Sequence, residues 1–85
     1  MKPVRFEISN TTNLATIPGV SGVYLFRDPE DTVLYVGKAR DLRQRLASYL
    51  RPDSFVLPKT GLIMKLAASF EIISMPLRKL LRNSQ

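Results

Sequence analysis

The chain has 85 residues and a net charge of +6 at pH 7, with thirteen Lys/Arg against seven Asp/Glu. It contains no cysteine and no histidine, which excludes a disulfide framework, a cysteine zinc site, and Ser-His or Cys-His nucleophile chemistry. A domain this short buries only about 60–65% of the surface its unfolded chain exposes. No apolar run reaches the roughly 20 residues that span a membrane, and Met1–Glu7 lacks a signal-peptide core, so a cytoplasmic protein without membrane contact is expected.

Residues 1–17 are polar, with Phe6 and Ile8 alternating with charged or polar neighbours as in a short edge strand. Ile17-Pro18-Gly19-Val20-Ser21 breaks the chain before a first strand over 20–27, rich in β-formers at Val23, Tyr24, Leu25 and Phe26. Asp28-Pro29-Glu30-Asp31 has the residues of a type I turn. Thr32–Val36 is the returning strand, which Gly37 is expected to end. Asp41 suits an N-cap for a helix over Leu42–Leu50, with Leu42, Leu46 and Leu50 as its buried stripe. Arg45 and Tyr49 are four apart and share a face beside that stripe, whereas Arg40, Gln44 and Arg51 point away from it. A proline-bracketed loop over 51–58 leads to a second helix over 60–68, with Leu62, Ile63, Leu66 and Ala67 facing inward. Phe70–Ser74 reads as a third strand, and Leu77–Arg82 as one or two helical turns after Pro76.

Charge divides along the chain. Residues 1–37 carry Lys2, Arg5 and Arg27 against Glu7, Asp28, Glu30 and Asp31, a net −1. Residues 38–85 carry ten Lys/Arg against Asp41, Asp53 and Glu71, a net +7. This asymmetry points to a polyanionic partner, nucleic acid first and an anionic membrane surface second.

Gly22-Val23-Tyr24, then Tyr35-Val36-Gly37 and Lys38-Ala39-Arg40-Asp41-Leu42, resemble a GIY-YIG nuclease domain. The resemblance is greatest to the N-terminal domain of UvrC-type excinucleases, and it covers residues 17–74. It implies a single α/β domain over residues 1–85 in which a small three-stranded antiparallel sheet is flanked by helices. It further implies a DNA endonuclease that hydrolyses phosphodiesters with Mg²⁺ or Mn²⁺, as in nucleotide excision repair, with DNA and repair-complex proteins as partners. By the same resemblance Tyr35 activates the attacking water, Tyr24 lines the site, Lys38 lies beside the water, Arg45 holds the scissile phosphate, and Tyr49 is a further site tyrosine. Arg40, Arg43 and Arg51 are candidate nucleic-acid contacts.

The residue types suit that chemistry. A phosphodiester transition state gathers negative charge that a fixed guanidinium stabilises. A phenol of pKa about 10 is only about 0.1% ionised at pH 7. It acts as a base only where cations such as Lys38 and Arg45 favour the phenolate.

The chain departs from the family pattern at its end. The resemblance calls for a metal-binding glutamate in a helix after the third strand, near positions 82–84, yet no acidic residue follows Glu71. No metal ligand is identified. An alternative to the nuclease is therefore a degenerate or truncated module that binds DNA or RNA without cutting. A third reading, a scaffold that docks protein through Leu77, Leu80 and Leu81, rests on that leucine cluster alone.

Overall fold

A computed structural model describes residues 3–9, 12–50 and 58–82. Strand β1 (Val4–Glu7) and a 3₁₀ turn (Leu14–Thr16) precede the hairpin β2 (Gly22–Arg27) and β3 (Val33–Ala39). Helices α1 (Leu42–Leu50) and α2 (Pro58–Leu66), strand β4 (Ser69–Ser74) and helix α3 (Leu77–Arg82) follow. The class is the mixed α/β arrangement expected. The sheet, however, has four antiparallel strands in the order β1-β4-β2-β3 rather than three. The additional strand is the edge strand signalled by Phe6, which pairs with Phe70 across β4 and stacks on its ring at 5.0 Å.

The hairpin turns as its residues require. The Asp31 amide donates to the Asp28 carbonyl at 2.9 Å. Asp28 Oδ1 accepts the amides of both Glu30 and Thr32 at 2.9 Å. Asp31 takes a left-handed φ of 68°, a conformation that aspartate tolerates better than most residues. Gly37 does not end β3. Lys38 and Ala39 continue the ladder opposite Val23 and Gly22, so Lys38 lies on a strand and not at the start of a helix.

Strand alternation sorts the sheet into two faces. Tyr24 and Phe26 of β2 and Phe70 and Ile72 of β4 are buried against Leu42, Leu46 and Tyr49 of α1, Ile63 of α2 and Ile17. The opposite face carries an ion-pair chain: Arg27 meets Glu71 at 2.6 Å, and Arg5 meets Asp31 at 3.0 Å and Glu7 at 3.1 Å.

Two helix faces differ from expectation. In α1, Tyr49 is more buried than Leu50, because its ring fills the space between Tyr24 and Phe26, 5.7 and 4.8 Å away between centroids. The inward stripe is Ile63 and Met64 of α2 with Ala67 just past its end. Leu62 and Leu66, also four apart, form the opposite face and are 61% and 48% exposed. Pro58 opens α2, where a missing N–H costs nothing, so the helix starts two residues earlier than expected. Residues 51–57, expected as a loop and including Arg51, lie outside the described residues.

Candidate nucleic-acid interface

The site grows out of the hairpin. Gly37 sits opposite Tyr24, and a Cβ on Gly37 would collide with Cζ and the hydroxyl oxygen of Tyr24. The glycine is thus the space in which the Tyr24 ring lies. Gly22 is equally constrained, since a Cβ there would strike the Ile73 carbonyl oxygen of β4. The Tyr24 ring, laid over Gly37, reaches Tyr49 on α1, and the two hydroxyls are 3.2 Å apart. Tyr35 completes the cluster, its ring centroid 6.2 Å from that of Tyr24.

Burial pushes the Tyr49 phenol above its ordinary pKa of 10. The hydrogen bond with Tyr24 and the neighbouring Tyr24 and Tyr35 add to the rise, and Arg45 opposes it. Tyr49 therefore keeps its proton at neutral pH and serves as a hydrogen-bonding group, not a base.

Helix α1 carries the second half of the site. Asp41 caps it, its Oδ1 accepting the Gln44 amide at 3.1 Å. The Leu42 amide donates to the Val20 carbonyl at 2.9 Å, which fastens the helix start to the hairpin's approach. Asp41, Gln44, Arg45 and Ser48 recur at helical spacing and face a cleft of about 510 Å³ with Lys38, Ala39 and Arg40. The far wall is α3, through Leu77, Leu80 and Leu81. That helix is held in place by reciprocal bonds between Ser21 and Met75: the Met75 amide to the Ser21 carbonyl at 2.9 Å, and Ser21 Oγ to the Met75 carbonyl at 2.6 Å. Lys38 Nζ reaches across to the Leu80 carbonyl at 3.5 Å.

Lys38, Arg40 and Arg45 thus share one cleft, and Tyr24, Tyr35 and Tyr49 form one aromatic cluster. Arg45 belongs to both, lining the cleft while acting on the Tyr49 phenol. Arg43 lies apart: its Nε donates to the Ile17 carbonyl at 2.6 Å and its Nη2 to Ala15 at 3.4 Å. Gln44, expected to point away from the leucine stripe, is exposed on the side of α1 that lines the cleft, as the spacing 41, 44, 45, 48 allows. Leu77, Leu80 and Leu81 were recognisable as an apolar cluster, but not as a wall facing the cations.

The donor set of the described residues does not suit a hard divalent cation, which takes several oxygen ligands with carboxylate among them. Among the described residues no three Asp, Glu, His or Cys side chains come together. The carboxylate that lines the cleft, Asp41, is engaged with the Gln44 amide and shares the space with Lys38, Arg40 and Arg45. Glu71 stands on the opposite sheet face against Arg27. Helix α3 bears Arg78, Lys79 and Arg82 and no acid. Among the described residues no helix is long and apolar enough to cross a membrane.

Residues 20–77 match the UvrC-like GIY-YIG domain family. The chain is 45% identical over 62 residues to the UvrABC system protein C of Nitratidesulfovibrio vulgaris, covering 73% of this chain and 9% of that protein. It is 51% identical over 55 residues to that of Paenarthrobacter aurescens, covering 65% of this chain and 8% of that protein. It therefore spans less than a tenth of the length of these relatives. Among solved structures it resembles the GIY-YIG N-terminal endonuclease domain of UvrC from Thermotoga maritima. Two tyrosine-to-phenylalanine point mutants of that domain, each bound to the catalytic divalent cation, align with a TM-score of 0.67 and 31% identity, covering 81% of this chain and 73% of that one.

Proposed function

The chain belongs to the UvrC-like GIY-YIG domain family, and from that premise we propose that it seats a DNA phosphodiester in the cleft between β3, α1 and α3 and holds it without metal-dependent hydrolysis. The observation that carries this reading is the content of the cleft: Lys38, Arg40 and Arg45 together, with Asp41 as the carboxylate and leucines opposite. Arg45 presents a planar fork matched to two phosphate oxygens, and Lys38 and Arg40 add charge along the backbone. Tyr24, Tyr35 and Tyr49 make a rigid support behind Arg45. Arg43 and Arg51 are further backbone contacts in this reading, although the Arg43 guanidinium is shared with the Ile17 carbonyl. A DNA-repair setting, with other repair proteins as partners, follows from the kinship.

Hydrolysis is the second reading, favoured by the retained tyrosine cluster and Arg45. A divalent ion would supply Lewis acidity and neutralise the leaving oxygen, but among the described residues the side chains around the cleft offer it no cluster of carboxylates.

Affinity for a labelled DNA strand, measured with Arg45→Ala and Arg45→Lys, tests the seat. A charged hydrogen bond contributes about 1.5–3 kcal/mol, so the alanine variant should bind roughly ten- to a hundredfold more weakly. The lysine variant should recover only part of that loss. Unchanged affinity in Arg45→Ala would remove Arg45 from the interface.

A further inference from the structure

The cleft has two unlike walls. Strand β3 and helix α1 supply Lys38, Arg40 and Arg45, with Gln44 and Ser48 as neutral hydrogen-bonding groups. Helix α3 supplies Leu77, Leu80 and Leu81. Leu80 is 3% exposed and belongs to the packing. Leu77 and Leu81 are 39% and 52% exposed, large apolar side chains lining the cleft. A phosphate alone satisfies the first wall and leaves the second wet.

Resting on the phosphodiester seat proposed above, we infer that this cleft takes an unpaired nucleotide, its phosphate on Arg40, Arg45 and Lys38 and its base against Leu77 and Leu81. The volume of about 510 Å³ suits a small-molecule-sized ligand, the scale of one nucleotide. Duplex DNA turns its phosphates outward and hides its base faces in the stack. It would engage the cationic wall and leave the leucines uncovered. A base freed from pairing offers an apolar face and, tied to its own phosphate, supplies both chemistries within one cleft. An acidic peptide also joins negative charge to apolar groups, but a stable protein interface needs about 800 Å² per partner, far more than this cleft presents. The leucine wall thus selects for single-stranded, flapped or distorted segments over intact duplex.

The test uses the full chain and fluorescence anisotropy at fixed ionic strength with three labelled probes: a twelve-nucleotide single strand, the same strand with abasic sugars throughout, and a duplex. The parent is compared with the Leu77→Ser/Leu81→Ser variant, whose fold is checked by circular dichroism; both side chains are exposed, so the core stays intact. The parent should prefer the intact strand over the abasic one by about fivefold or more, in the range that covering base faces provides. The double variant should lose that preference, and its duplex affinity should hardly change. Equal binding of intact and abasic strands by the parent overturns the base seat and leaves the phosphate seat standing. This comparison needs no variant, so a misfolded double mutant does not remove the test. Poly-glutamate displacing the strand as well as unlabelled strand does would also overturn it, in favour of an acidic protein partner. No binding of any probe at low salt overturns the phosphate seat and this inference together.

Discussion

Tyr24 is a core residue beside the candidate site, and Gly37 is what gives its ring room there. Placing a methyl group at position 37 forces the ring off its bed, because the colliding atoms belong to a fixed aromatic ring, not a flexible tip. Gly37→Ala should cost about 1–3 kcal/mol of stability, as overpacking does. A Cβ on Gly19 would meet Asp41 Oδ1 at 3.5 Å, an ordinary contact. Gly19→Ala should therefore leave the urea midpoint almost unchanged, and the contrast between the two variants checks the point. Tyr49 gives a pH signature. Its phenol ionises near pH 10 in the unfolded chain and above that when folded. The stability from burying it neutral is complete below pH 10 and is lost as pH rises further, when the unfolded state releases a proton that the folded state keeps. Denaturation between pH 9 and 11 should show a decline approaching ~1.4 kcal/mol per pH unit from this group. Tyr49→Phe should decline less steeply. An identical slope would contradict the buried phenol.

Helix α1 is the element on which fold and site meet. One face buries Leu42, Leu46 and Tyr49, another lines the cleft with Gln44, Arg45 and Ser48, and Arg43 ties the helix to the 3₁₀ turn through Ile17. Two arginines two residues apart should then separate stability from binding. Arg43→Ala should lose about 1.5 kcal/mol, the scale of a charged hydrogen bond, with a smaller effect on DNA affinity than Arg45→Ala. Arg45→Ala should do the reverse, and urea melts beside anisotropy titrations would read both. Much of this helix was legible in its sequence, because Asp41, Leu42 and Leu46 fall where capping and helical period put them. Tyr49 was harder to place. Period alone gives Leu50 an equal claim to the core, and the hollow between Tyr24 and Phe26 exists only once β2 is folded. Along α2 and the residue after it, both Leu62–Leu66 and Ile63–Ala67 make apolar pairs four residues apart, and tertiary packing decides between them. The four-stranded sheet was half visible: Phe6 signalled a strand, but only the register with β4 shows that it joins the same sheet. The leucine wall was invisible as a site because α3 meets β3 only through contacts distant in sequence, such as that between Lys38 and Leu80, 42 residues apart.

At the scale of the whole molecule, charge and donor chemistry point the same way. The positive excess lies beyond residue 37, and three of its members line one cleft. DNA affinity should fall linearly with salt on logarithmic axes, by about 0.9 for each duplex phosphate contacted. Removing Lys38, Arg40 or Arg45 singly should reduce that slope by about one. A slope indifferent to all three would place the interface elsewhere. The same concentration of cations opposes a divalent ion in the cleft, so Mg²⁺ at constant ionic strength should compete for the phosphates and never strengthen DNA binding. The most direct measurement is plasmid nicking with Mn²⁺ under conditions where the chain demonstrably binds the DNA. The expected result is binding without nicking above background over hours. Metal-dependent nicking by the unmodified chain, abolished by Arg45→Ala, would contradict it and show that a divalent ion finds ligands in a cleft whose one carboxylate among the described residues is Asp41.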